Sequence, residues 1–102
     1  MNMNRFLGLR KNRHGNGRGK YREFWKSVNA ESVMYVNHPY KMFKILMAVS
    51  ESDFRTVAEI SFMCDETVER TRRTLNNFEK LGLVEKNQYL MFKRKIGVDL
   101  NG

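Results

Sequence analysis

Between Glu66 and Lys80 the chain places Glu66, Thr67, Glu69, Arg70, Arg73, Asn77 and Lys80 at helical spacings, so that one face of a helix would carry donors and acceptors together. The major groove of a nucleic-acid duplex admits an α-helix and shows it a distinct hydrogen-bonding pattern at each base pair. Arg70 and Arg73 suit guanine O6 and N7, Asn77 suits adenine or a phosphate, and Glu66 or Glu69 can accept from cytosine N4. Thr67 can meet a thymine methyl or a backbone oxygen. Arg72 and Lys80 suit phosphates, contacts that position a helix without specifying a sequence. The same spacing also has a purely structural use. Glu66 with Arg70 and Glu69 with Arg73 are i, i+4 pairs in the favourable order, and both acids suit the positive end of the helix dipole.

Other chemistry finds little material. Cys64 is the single cysteine, so no intrachain disulfide is expected, and with His14 and His38 it makes no zinc-ligand spacing. No glycine loop sits between a strand and a helix to cradle a phosphate, and no nucleophile has a credible base. Neither enzymatic activity nor a cofactor or metal is expected. Asp65 and Glu66 beside Cys64 argue for a poorly reactive thiol. No apolar run approaches a membrane span and residues 1–20 lack a leader's apolar core, so the expectation is an intracellular protein, cytoplasmic or nucleoid-associated, without a membrane partner.

The formal net charge is +8, and its location is informative. Residues 1–22 hold Arg5, Arg10, Lys11, Arg13, Arg18, Lys20 and Arg22 and no acid, whereas the other 80 residues hold 12 basic and 11 acidic groups. A cationic arm before a nearly neutral body points to a polyanion, because neutralising phosphates releases counterions. Four glycines and four asparagines dominate residues 1–20, so this arm is expected to be disordered when free. The run Asn16-Gly17-Arg18-Gly19-Lys20 suits a minor groove, and equally RNA or single strands.

These groups need elements to hold them. Tyr21, Phe24, Trp25 and Val28 fall on one helix face, which serves either the domain's own core or a homodimer through residues 21–36. Ser32 to Val36 fits a strand or a helical turn. Asn37-His38-Pro39 predicts a helix start, followed by a buried helix to near Ser50 carrying Tyr40, Phe43, Leu46 and Met47, widened by Met42, Ile45 and Val49. After a turn at Ser52-Asp53, a short helix over 56–63 is expected to face Val57, Ala58 and Ile60 inward. Asp65 is the expected N-cap of a long helix over 66–81 whose core side is Val68, Thr71, Leu75 and Phe78, with Gly82 ending it. Residues 83–86 and 88–92 are expected as two strands around a tight turn at Lys86-Asn87, packed through Leu83, Tyr89 and Met91. Lys86 at the turn, and Lys93 and Arg94 (with Lys95) at the base, are further phosphate candidates.

The ordered pieces Ala58-Glu59-Ile60, Asp65, Thr67-Val68 and Leu81-Gly82-Leu83-Val84 resemble the helix-turn-helix and wing entrance of winged-helix transcriptional regulators of the MarR and ArsR groups. The resemblance covers roughly residues 39–93 and departs at Arg72, where many members carry an apolar residue. It implies a mainly α fold with a small β-hairpin, a winged helix-turn-helix over 37–95. Before it stand the flexible basic arm of 1–20 and the amphipathic extension of 21–36; a short tail of 96–102 follows. It also implies sequence-specific binding of double-stranded DNA in transcription regulation, with helix 66–81 in the major groove and the arm adding contacts. Fold does not fix function, so two other readings stand beside this one: an adaptor docking on the transcription machinery, and an RNA or nonspecific nucleic-acid binder working through the arm.

Overall fold

The computed structural model describes residues 13–98 and residue 100, with side chains from Gly19 onward. Arg5, Arg10 and Lys11 of the expected arm lie outside the described residues, as do the side chains of Arg13 and Arg18. The described residues are mainly helical with one two-stranded antiparallel hairpin. In order it runs α1 (Arg13–Ser27), α2 (Val33–Asn37), α3 (Pro39–Met47), α4 (Val57–Cys64), α5 (Val68–Lys80), β1 (Val84–Lys86) and β2 (Phe92–Arg94). It divides into two units, with the boundary inside α3 after Tyr40. Among the described residues no helix is long and apolar enough to cross a membrane.

In the first unit the aromatic spacing does form a helix, but α1 begins at Arg13, inside the segment expected to be disordered. Glycines at 15, 17 and 19 each cost a helix about 1 kcal/mol relative to alanine, which is why composition argued for coil. Propagation from an established turn gains one backbone hydrogen bond per residue added, and the aromatic turns supply that start. Asn29 ends α1 in the left-handed region at φ +62°. There the Ala30 N–H donates to the Trp25 carbonyl at 2.8 Å and the Asn29 N–H to that of Lys26 at 3.0 Å, a Schellman turn with asparagine in the usual glycine place. Residues 33–37, left open between strand and helix by the sequence, are helical. Trp25 is 1% exposed; its ring lies 4.7 Å from that of Tyr35 and 4.9 Å from the edge-on Phe24, and its indole N–H donates to the Pro39 carbonyl at 2.8 Å. Burial pushes the Tyr35 hydroxyl pKa up to about 12. Val33, Val36 and Tyr40 point outward, so Tyr40 does not join the buried stripe expected of α3; it stacks on Tyr21 at 4.9 Å.

The second unit is built on Met42, Phe43, Ile45, Leu46 and Val49, all buried, while Met47 is exposed. Ser50 Oγ accepts from the Ser52 and Asp53 N–H groups, each at 3.1 Å, and makes the expected turn. Thr56 caps α4 in a reciprocal box: its hydroxyl accepts from Glu59 N–H at 3.0 Å, and Glu59 Oε1 accepts from Thr56 N–H at 2.8 Å. Ile60 and Cys64 face inward, but Ala58 is exposed, contrary to expectation.

Asp65 is not the N-cap of the long helix. It ends α4 at φ +57°, with its N–H turned back to the Phe62 and Ser61 carbonyls. The capping role falls to Thr67, whose hydroxyl accepts from Arg70 N–H at 3.1 Å. The helix therefore starts two residues late and Val68 stands exposed rather than in the core. The buried stripe of α5 is Thr71, Thr74, Leu75 and Phe78. Its end is a full Schellman turn, Leu83 N–H to Phe78 and Gly82 N–H to Glu79, both at 3.0 Å, with Gly82 at φ +79°.

The hairpin also departs from expectation. Val84 pairs with Arg94 and Lys86 with Phe92, so residues 87–91 form a five-residue loop instead of a tight turn. Asn87 Oδ1 accepts from the Tyr89 and Met91 N–H groups at 2.9 and 3.0 Å, and this local bonding competes with the ladder. Tyr89 is exposed, Met91 half-buried, and Val84 and Phe92 take the core positions with Leu83. Arg55 pairs with Phe92 from the other side, at 2.9 and 2.8 Å.

A Cβ at Gly82 would meet nothing within 4 Å. Gly82→Ala is therefore expected to lose about 1–2 kcal/mol through left-handed strain alone, a fall of several degrees in Tm by calorimetry.

Candidate functional site

With Thr71, Thr74, Leu75 and Phe78 inward, a 100° step per residue centres the outward face of α5 on Glu69, Arg73, Asn76 and Lys80. Arg72 flanks this line on one side, Arg70 and Asn77 on the other. Glu69, Arg72, Arg73 and Lys80 are exposed, and Arg70 and Asn77 half-buried. Among the described residues Arg72, Arg73 and Lys80 enter no ion pair. Asn76 was missed by the sequence reading, although it stands i+7 from Glu69 and i+3 from Arg73; taking Val68 as a core position turned the helix too far to see it.

Glu66 has a different place. Its side chain is 9% exposed and lies 3.5 Å from Lys41 Nζ and 3.6 Å from Arg70 Nη1. The carboxylate thus ties α3 to the start of α5 and holds Arg70, which leaves it little reach toward a base. Glu69 and Arg73 do not form the second expected pair. The Thr67 oxygen is taken up by its cap.

The hairpin cations are tied into the fold. Arg94 donates through Nη1 to the carbonyls of Val49 at 3.0 Å and Leu46 at 3.5 Å, so it closes the end of α3 and is not presented for phosphates as expected. Lys86 lies 3.5 Å from Glu79 and 3.4 Å from Asn76 Oδ1, and 5.8 Å from the Phe92 ring centroid. Lys93 stands 5.0 Å over the Phe54 ring. In the first unit, Lys20 and Arg22 are exposed on α1. Trp25, Ala30 and Tyr35 line the inner wall of a 330 Å³ cavity, with Arg22, Lys26, Glu31 and Val36 at its rim.

No family model matches the chain, and neither the curated proteins nor the solved structures offer a match.

Among the described residues no three of His, Cys, Asp and Glu are grouped to hold a metal ion. Cys64 is buried, its thiol donating to the Ile60 carbonyl at 3.1 Å. Burial first, and the nearby Glu66 carboxylate second, push its pKa up. The thiolate is the reactive form, so Cys64 is expected to react with a disulfide reagent at pH 8 at least about ten-fold more slowly in the native protein than in urea. Because the folded thiol holds its proton more tightly, its share of stability is complete below the unfolded pKa and declines as pH rises through the folded one. Urea midpoints across pH 7–10, compared with Cys64→Ser, read that loss.

Proposed function

We propose that the 41–102 unit is a winged helix-turn-helix that binds double-stranded DNA, with α4 and α5 as the helix pair, α5 in the major groove and β1–β2 as the wing. The observation that carries this reading is the division of α5: one narrow buried stripe, and an opposite side on which Arg72 and Arg73 are exposed and enter no ion pair among the described residues. On this reading Arg73 makes a bidentate contact to guanine and Glu69 beside it accepts from cytosine, while Asn76 is half-buried with its Oδ1 accepting from Lys86. Arg72 and Asn77 on the flanks and Lys80 further along the face contact phosphates, and Arg70 does so from its pair with Glu66. The three-residue link between α4 and α5, with Asp65 left-handed at the bend, has the form of a helix-turn-helix turn. The cations of residues 1–22 add sequence-independent affinity, and a regulator of transcription located where DNA is follows from this reading.

Arg72→Ala/Arg73→Ala is expected to weaken binding to a duplex selected from a random pool by about ten-fold or more and to erase its preference over unrelated duplexes. Unchanged selectivity in an anisotropy titration would falsify the placement of α5. Because α1 begins at Arg13, the informative truncation removes residues 1–12, not 1–20. It takes away Arg5, Arg10 and Lys11 and is expected to flatten the log-log salt slope by about 2–3, with site preference retained.

One observation favours an adaptor instead. Phe62 is 87% exposed on α4, next to the exposed Met63, and such apolar surface serves protein contacts. Phe62→Ser that leaves DNA binding intact but abolishes a transcriptional output would move weight to a machinery contact.

A further inference from the structure

Glu66 stands between two cations that belong to different helices. Lys41 reaches it from the first turn of α3, Nζ to Oε2 at 3.5 Å, and Arg70 from the first turn of α5, Nη1 to Oε1 at 3.6 Å. The three side chains differ in their access to water: 9% of Glu66 is exposed, against 38% of Lys41 and 43% of Arg70. An ion pair open to solvent on both sides holds little. A carboxylate that has given up most of its water is screened less, and its hold on each cation is firmer for it. Each oxygen takes one cation, so the two head groups are set apart while their outer faces stay in water. Both keep N–H donors to spare beyond the one turned to Glu66.

We propose that Glu66 is a positioning residue: it holds Lys41 and Arg70 where they meet DNA phosphates in a single register of α5, and so raises selectivity. This rests on α5 lying in the major groove. Phosphate contacts carry no sequence information by themselves, but they fix register and orientation. A free lysine or arginine finds a phosphate from many poses, because its stem is long and flexible, and it therefore favours every duplex alike. A tethered one has less rotamer freedom to lose on binding, but it reaches a phosphate from few poses. It strengthens the complex in which α5 sits on its own sequence and gives less to any other. Lys41 also carries the cationic flank of α5 onto a neighbouring helix, at a position that spacing along α5 does not show.

The test uses the full chain and compares a duplex selected from a random pool with an unrelated duplex, each titrated by anisotropy over a range of salt. Glu66→Gln keeps the size of the side chain and frees both cations. It is expected to tighten the unrelated duplex about five-fold and to steepen its log-log salt slope by about 1–2, with the selected duplex tightened less than about two-fold. A purely structural tie would lower Tm and leave the ratio of the two affinities unchanged. An acid that only repels phosphates would also leave the ratio unchanged, since its removal strengthens both duplexes alike. Lys41→Gln, which leaves Glu66 and its hold on Arg70 in place, decides the matter if Glu66→Gln does not fold. It is expected to weaken the selected duplex about five-fold and the unrelated one less than about two-fold. In a Lys41→Gln/Arg70→Gln background, Glu66→Gln is expected to change nothing further. A ratio that keeps its wild-type value in Lys41→Gln or in folded Glu66→Gln, or a Glu66→Gln effect that persists in that background, overturns the positioning role and leaves the α5 reading standing. Wild-type protein that prefers no duplex overturns both.

Discussion

Thr71 and Thr74 are fully buried on α5 between Leu75 and Phe78, and a helix can bury hydroxyls only where their hydrogen bonds are met. Thr71 meets that need locally by donating to the Thr67 carbonyl at 2.8 Å, and Thr74 lies 3.7 Å from Met42 Sδ. The stripe they complete holds only four residues, Thr71, Thr74, Leu75 and Phe78, and the rest of the 41–102 unit depends on that narrowness. It leaves the far side of α5 uncommitted. It also sets where the helix must be capped, at Thr67 before the stripe and at Gly82 after it, and therefore where the hairpin begins.

The cations divide by what the backbone asks of them. Arg55 donates to the Ala48 carbonyl at 3.0 Å and Arg94 to that of Val49 at 3.0 Å. Together they satisfy carbonyls that the end of α3 leaves without helical donors. Lys86 and Lys93 rest on aromatic rings. A nearly neutral body can thus show a cationic helix face, because acids such as Glu66 and Glu79 are matched to the tied cations and not to Arg72 or Arg73.

Element order and three positions of the inward stripe of α5, Thr71, Leu75 and Phe78, were legible in the sequence because both follow from spacing, whereas Val68 was wrongly placed there and Thr74 was not read. Gly82 was legible too, since a glycine just past an amphipathic run has one main use. The start of α5 was not: Asp65 and Thr67 are both good caps, and only the left-handed backbone at Asp65 decides between them. That two-residue difference displaced Val68 from the core and hid Asn76. The hairpin misled through Gln88 to Phe92, whose β-forming side chains suit a strand, while one side-chain oxygen at Asn87 redirects two N–H groups out of the ladder. Arg94 and Lys93 look identical to a phosphate contact until the carbonyls and rings beside them are known.

The chain's sole tryptophan and three of its four tyrosines lie before Lys41, leaving Tyr89 as the other unit's single ring of that kind. Trp25, sealed from water and set against Tyr35, makes the tryptophan band at the long-wavelength edge of the near ultraviolet a private window on residues 13–40, whereas the far-ultraviolet signal sums every helix. Melting followed at both wavelengths separates the loss of one unit from the loss of the other without any added label.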